Sequence, residues 1–104
     1  MKLLTKKSTE LSIDEERLIH VMQLLGDQTR YKMFKLLMLR NEMCVTDIAE
    51  ELDITVSAVS QHFRNFEMVG LVDKERMGQK ICYALKADDT FVEELVSVIN
   101  KSKE

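Results

Sequence analysis

The sequence predicts a mainly α-helical domain with a small β-hairpin toward its C-terminal end. Three observations lead there. Among 104 residues there is no proline and only three glycines, Gly26, Gly70 and Gly78, so little interrupts long helices. Apolar residues recur at helical spacing over most of the chain. The period then turns to alternation between Leu71 and Leu85. The length fits a single domain, 1–104, able to bury roughly 60–70% of its unfolded surface.

The elements follow in order. Leu11–Leu25 carries Leu11, Leu18, Met22 and Leu25 near one face, widened by Ile19, Val21 and Leu24. Gly26 and Asp27 end that helix, and Asp27 is an N-cap for Gln28–Arg40. Thr46 is read as the cap of a short helix, Asp47–Leu52, with Asp47 suited to the helix dipole. Asp53 and Ile54 make a tight turn, Thr55 caps Val56–Val69, and Gly70 stands where a C′ glycine belongs. Leu71–Glu75 and Lys80–Leu85 flank a turn, Arg76–Gln79. Asp88 or Asp89 caps a last helix to about Asn100, with Phe91, Leu95 and Ile99 at i, i+4 and i+8.

This order of about five helices and a two- to three-stranded sheet is that of a winged helix-turn-helix. The helix-turn-helix spans 46–69 and the wing 71–85. Ile48, Ala49, Leu52 and Ile54 precede Val59, Phe63 and Phe66, which face the core at i, i+4 and i+7. Ser57, Ala58, Ser60, Gln61, Arg64 and Asn65 then face outward. Small and polar residues admit a helix to the major groove, about 12 Å wide; Gln can pair with adenine and Arg with guanine. Thr46, Thr55 and His62 border this face, and the wing adds Lys74, Arg76, Gln79 and Lys80 as phosphate or minor-groove contacts. Alone, such a face would equally fit a solvated helix. The glycine and hairpin that follow at once favour DNA.

The helices 11–25 and 88–100 carry more apolar surface than a small domain covers by itself. Leu18, Val21, Met22, Leu25, Phe91, Leu95, Val96 and Ile99 are therefore expected at a homodimer interface, the alternative being that these helices complete the core of one chain. Two half-sites of a palindromic operator on double-stranded DNA would match such a dimer. The net charge of −3 speaks against nucleic acid. It resides, however, in residues 88–104, where five acids face two lysines, while residues 1–87 balance at thirteen of each sign. No apolar run nears the roughly 20 residues of a membrane span. Met1–Glu16 has Lys2, Lys6 and Lys7 but no signal-peptide core. The expected location is the cytoplasm, with no membrane partner. No Gly-rich phosphate loop, Ser-His-Asp arrangement or carboxylate pair in a cleft supports an enzyme. The alternative function is a winged-helix protein-interaction module without specific DNA binding.

From Leu25 to Leu85 the sequence resembles the ArsR-type (ArsR/SmtB) winged-helix repressors. Leu25-Gly26-Asp27-Gln28-Thr29-Arg30 is similar to the family's Leu-Ala-Asp-Pro-Thr-Arg. Glu42-Met43-Cys44-Val45-Thr46-Asp47-Ile48-Ala49 is similar to its Glu-Leu-Cys-Val-Cys-Asp-Leu-Ala. Ser57-Ala58-Val59-Ser60-Gln61-His62-Phe63 is similar to its Ser-x-Val-Ser-x-His-Leu recognition helix, and Gly70-Leu71-Val72 with Cys82-Tyr83-Ala84-Leu85 fits its wing. The resemblance implies a homodimeric repressor released by an inducer, often a metal ion. Thr46 stands where the family's second metal-binding thiolate belongs, and residues 88–104 hold no histidine for its other common site. No metal and no cofactor are therefore expected.

Cys44 and Cys82 remain. A cytosolic chain keeps thiols reduced, which argues against a permanent disulfide. In a winged helix the short strand before the helix-turn-helix pairs with the second wing strand, which makes Cys44 and Cys82 cross-strand neighbours. With Ile81, Tyr83, Leu85 and Val45 inward, both would point outward, their Cβ atoms about 4.5–5.5 Å apart. That stops just short of the disulfide range of about 3.5–4.5 Å. They form either a sensor of oxidants or of a soft ligand such as Cu(I), or two unrelated half-buried cysteines acting as small hydrophobes, the default for such residues.

Overall fold

A computed structural model describes residues 9–102. Eight elements follow one another: α1 (Ile13–Leu25), α2 (Gln28–Arg40), β1 (Glu42–Cys44), α3 (Val45–Leu52), α4 (Val56–Met68), β2 (Val72–Met77), β3 (Lys80–Leu85) and α5 (Thr90–Lys101). The order is the one the sequence predicts, with a third strand ahead of α3.

Local chemistry sets the boundaries. Ser12 caps α1: its hydroxyl accepts from the Glu15 N–H, and the Glu15 carboxylate accepts from the Ser12 N–H. This reciprocal box satisfies two otherwise orphan donors, so the helix starts two residues later than its apolar stripe. Asp27 caps α2 through the Arg30 N–H, and Thr55 caps α4 through the Ala58 N–H at 3.0 Å. Asp89, not Asp88, caps α5 and accepts from the N–H groups of Phe91 and Val92. Thr46 caps nothing. The helix begins at Val45 with Cys44 at the N-cap position and no side-chain cap bond, because the chain passes directly from strand β1 into α3.

The sheet is antiparallel, in the order β1-β3-β2. Strand β2 extends to Met77, two residues past the predicted end, leaving a two-residue turn in which Gly78 adopts φ +66°. Pairing places Glu42, Met43 and Cys44 opposite Ala84, Tyr83 and Cys82. One face of the sheet, with Met43, Val72 and Tyr83, closes the core against Phe34, Phe63 and Phe66. The rings of Phe63 and Tyr83 stack at 4.4 Å between centroids, and Phe66 meets Phe34 edge-on at 6.4 Å. Such pairs add about 0.5–1.5 kcal/mol each beyond the area they bury.

Candidate nucleic-acid interface

The turn between α3 and α4 is built by Asp53 in the left-handed region at φ 55°, whose N–H reaches the Glu50 carbonyl, and by the Ile54 N–H on the Ala49 carbonyl at 3.1 Å. Asp tolerates this region better than most residues. Ile48 and Ala49 are buried, and so are Val59, Phe63 and Phe66 on α4. The core-facing set is thus the one the spacing predicts. Opposite it, Ser57, Gln61 and Arg64 are exposed, and Ala58, Ser60 and Asn65 are half-buried. Arg64 donates to Gln61 Oε1 at 2.9 Å, and Gln61 Nε2 donates to Asn65 Oδ1 at 3.5 Å. This chain of bonds lies on the surface, where a base edge can replace it. Thr46 is exposed in the first turn of α3, while the Thr55 hydroxyl is committed to capping.

His62 is half-buried on α4. Burial pushes its imidazole below the ordinary value, the Arg30 charge adds to the effect, and Asp27 opposes it. The ring is therefore neutral at neutral pH and offers one N–H donor rather than a cation.

The hairpin sorts its charges by the pleat. Lys74 pairs with Tyr83 and Arg76 with Ile81, so both lie on the sheet face that carries Tyr83 against α4. Asp73 and Glu75 pair with Ala84 and Cys82 on the opposite face. The alternation of acids and bases in sequence thus becomes a basic side next to α4 and an acidic side away from it. Lys80 pairs with Met77 and shares the acidic side; Gln79 is exposed in the turn. On the acidic side, a hydrogen bond between the carboxyls of Glu42 and Glu75 holds Glu42 above the usual carboxylate range, with partial burial and the Glu75 charge adding to it.

On the same face of the sheet Cys44 and Cys82 are joined in a disulfide. Sequence reasoning reached the register but stopped short of the bond. It also left Cys82 on the surface. Cys82 is fully buried and only Cys44 is partly exposed, because the middle strand of three is shielded on both sides. The bridge ties the start of α3 to the central strand of the wing.

Away from the recognition surface, α1 and α5 leave an apolar face with Leu18, Met22, Leu25, Leu95 and Val98. Met22 is 63% exposed and Val98 60%. Val21 and Ile99, expected at an interface, are already buried within one chain at 1% and 4% exposure. Val96 lines a separate groove beside Leu37 and Met38, and Phe91 is half-buried under Arg17. Val98 escaped the sequence reading because it lies outside the i, i+4, i+8 stripe. Arg17 escaped it because periodicity carries no signal for a polar tie between helices.

A helix-turn-helix whose second helix turns a small and polar face outward, beside a hairpin with Lys74 and Arg76 on that side, defines a winged helix-turn-helix DNA-binding domain. The bacterial regulatory protein, arsR family, pattern matches residues 27–74. The cadmium resistance transcriptional regulatory protein CadC of Listeria innocua is 30% identical over 80 residues, 77% of this chain and 67% of that protein. The chain belongs to the arsR family of bacterial transcriptional regulators. Its fold is shared by HlyU from Vibrio cholerae, with a TM-score of 0.76 at 22% identity over 89% of this chain and 98% of that one. It is also shared by a homodimeric winged helix-turn-helix domain from Mycobacterium bovis, with a TM-score of 0.73 at 19% identity over 98% and 89%. No helix among the described residues is long and apolar enough to cross a membrane.

Proposed function

We propose that this regulator is a cytoplasmic homodimeric repressor rather than an enzyme, binding palindromic operator DNA through α4 and the wing. The observation that carries the reading is the exposed Ser57, Gln61 and Arg64 face of α4, capped by Thr55 and flanked by Lys74 and Arg76. In this reading Gln61 and Arg64 read base edges and Asn65 supports them. Ser57, Ser60, Thr46 and the wing bases hold phosphates, Ala58 allows close approach, and His62 donates from the flank. The apolar face of α1 and α5 pairs two copies; the Mycobacterium bovis domain that shares the fold is also homodimeric. No cofactor or metal is needed for these roles.

Fluorescence anisotropy with the protein's own upstream DNA tests this. Affinity should fall steeply with salt, because each neutralised phosphate adds about −0.9 to the slope of log K against log salt. Arg64→Ala should cost about 1–3 kcal/mol on the operator. No specific complex even at low salt, on any DNA selected from a random pool, would instead mark a protein-interaction module.

A second reading adds control by thiol chemistry, favoured by the Cys44–Cys82 bridge. Exchange with a small disulfide transfers two electrons from the dithiol to that oxidant. It closes the protein bridge and releases two small thiols. Since the bridge joins the helix-turn-helix to the wing, its closure sets their relative position. Oxidation should weaken operator binding by at least about fivefold, the low end of allosteric coupling. Equal affinity of reduced and oxidised protein, or an unchanged response in Cys44→Ser, would leave the repressor without this switch.

A further inference from the structure

Arg17 joins three helices. Its Nε donates to the Val69 carbonyl at 2.9 Å, and its Nη2 donates to the Gly70 carbonyl and to Asp89 Oδ2, each at 3.1 Å. The guanidinium lies 4.7 Å from the centroid of the Phe91 ring. A residue of α1 thus holds the C-terminal end of α4 and the N-terminal end of α5. The chemistry at each contact is favourable. The Val69 and Gly70 carbonyls lie just past the C-terminal end of α4, where the helix dipole is negative and a cation is favoured. Asp89 already caps α5 through Phe91 and Val92, so its second oxygen is presented to Arg17 in a fixed place. Gly70 belongs to the same joint: a Cβ there would lie 3.2 Å from Arg17 Nη2.

Surface ion pairs are usually weak. This one differs in its four partners and in its place. Beyond it, α1 and α4 are separated by an open cleft lined by His20, Gln23, Leu24, Asn65, Met68 and Val69. Val59, Phe63 and Phe66 hold the inner face of α4 in the core, and the Arg17 joint at its C-terminal end ties its direction to α1 and α5. That direction matters at the far end of the helix. Thirteen residues make α4 about 20 Å long. A tilt of about 10° about Gly70 would carry its N-terminal end, with Ser57, by about the 3.4 Å rise of one base pair, and Gln61 by about 2.4 Å.

We infer that Arg17 is a positioning residue that fixes the recognition helix against the dimerisation helices and so sets the spacing between operator half-sites. The inference rests on the dimeric DNA-binding reading. Half-site identity belongs to the outward face of α4, and half-site spacing to the Arg17 joint.

Selection from a random duplex library with the wild-type protein, Arg17→Gln, Arg17→Lys and Asp89→Asn tests it. Asn caps a helix as well as Asp does, so Asp89→Asn preserves α5 while removing the charge that holds Arg17. Lys keeps the charge but not the planar fork that reaches several acceptors. The wild type should select paired half-sites at one spacing. All three variants should select the same half-site sequence spread over several spacings, with about tenfold weaker binding to the wild-type site and an unchanged dimer dissociation constant. If Arg17→Gln does not fold, Asp89→Asn carries the comparison. A single wild-type spacing retained by the folded variants overturns the inference, whatever their affinity. Failure of the wild type to select paired sites overturns the dimeric reading itself, before any variant is compared.

Discussion

His62 shows how a residue on the recognition helix can serve the fold as much as the ligand. Burial and Arg30 lower its pKa, so the unfolded chain takes up its proton more readily than the folded one. Stability from this residue is present above the unfolded value of about 6.5 and is lost as pH falls below it. Thermal melts at pH 7 and pH 5.5 should show a larger acid-side loss for wild type than for His62→Gln. Equal losses would mean that the ring is solvated at both pH values. Single residues differ in how readable they were. Thr55 and Asp27 were legible as caps because capping is decided within four residues of chain. Thr46 misled, since a strand running straight into α3 leaves the capping position to Cys44.

At the scale of elements, α4 ends in a Schellman motif: the Leu71 N–H reaches the Phe66 carbonyl and the Gly70 N–H the Glu67 carbonyl, both at 3.0 Å. Gly70 makes this closure at φ +74°. Gly70→Ala combines left-handed strain of about 1–2 kcal/mol with crowding of Arg17. Its Tm should fall by about 5–15 °C, since 1 kcal/mol corresponds to about 4–8 °C in a domain of this size. An unchanged Tm would mean the turn has another conformation available. The hairpin and the helix-turn-helix were visible in the sequence because their signals are local: a change of period, a glycine, a cap. The Cys44–Cys82 register was visible for the same reason once β1 was paired with β3. The depth of Cys82 was not, because alternation names a face but not what covers it.

For the whole molecule, the exposed apolar surface of α1 and α5 bears on assembly. Met22 and Val98 stand open in the single chain, and an apolar patch of this kind marks an interaction surface. Met22→Glu should convert a dimer to monomers in sedimentation and weaken operator binding on the order of a hundredfold, the loss expected when two linked half-site contacts become independent. A dimer that survives the charge would place the interface elsewhere. The sequence by itself determined the order of helices and strands, the inward set of α4 and its polar outward face. Each follows from spacing and capping over a few residues. Only the tertiary structure decided that Val21 and Ile99 belong to the core of one chain, that Lys74 and Arg76 share the side of α4 while Asp73 and Glu75 turn away, and that Cys82 is buried and bridged. It alone brought Arg17 against Val69, Gly70 and Asp89, across 52, 53 and 72 positions of chain. Contacts so distant depend on how whole elements pack, and no local pattern records them.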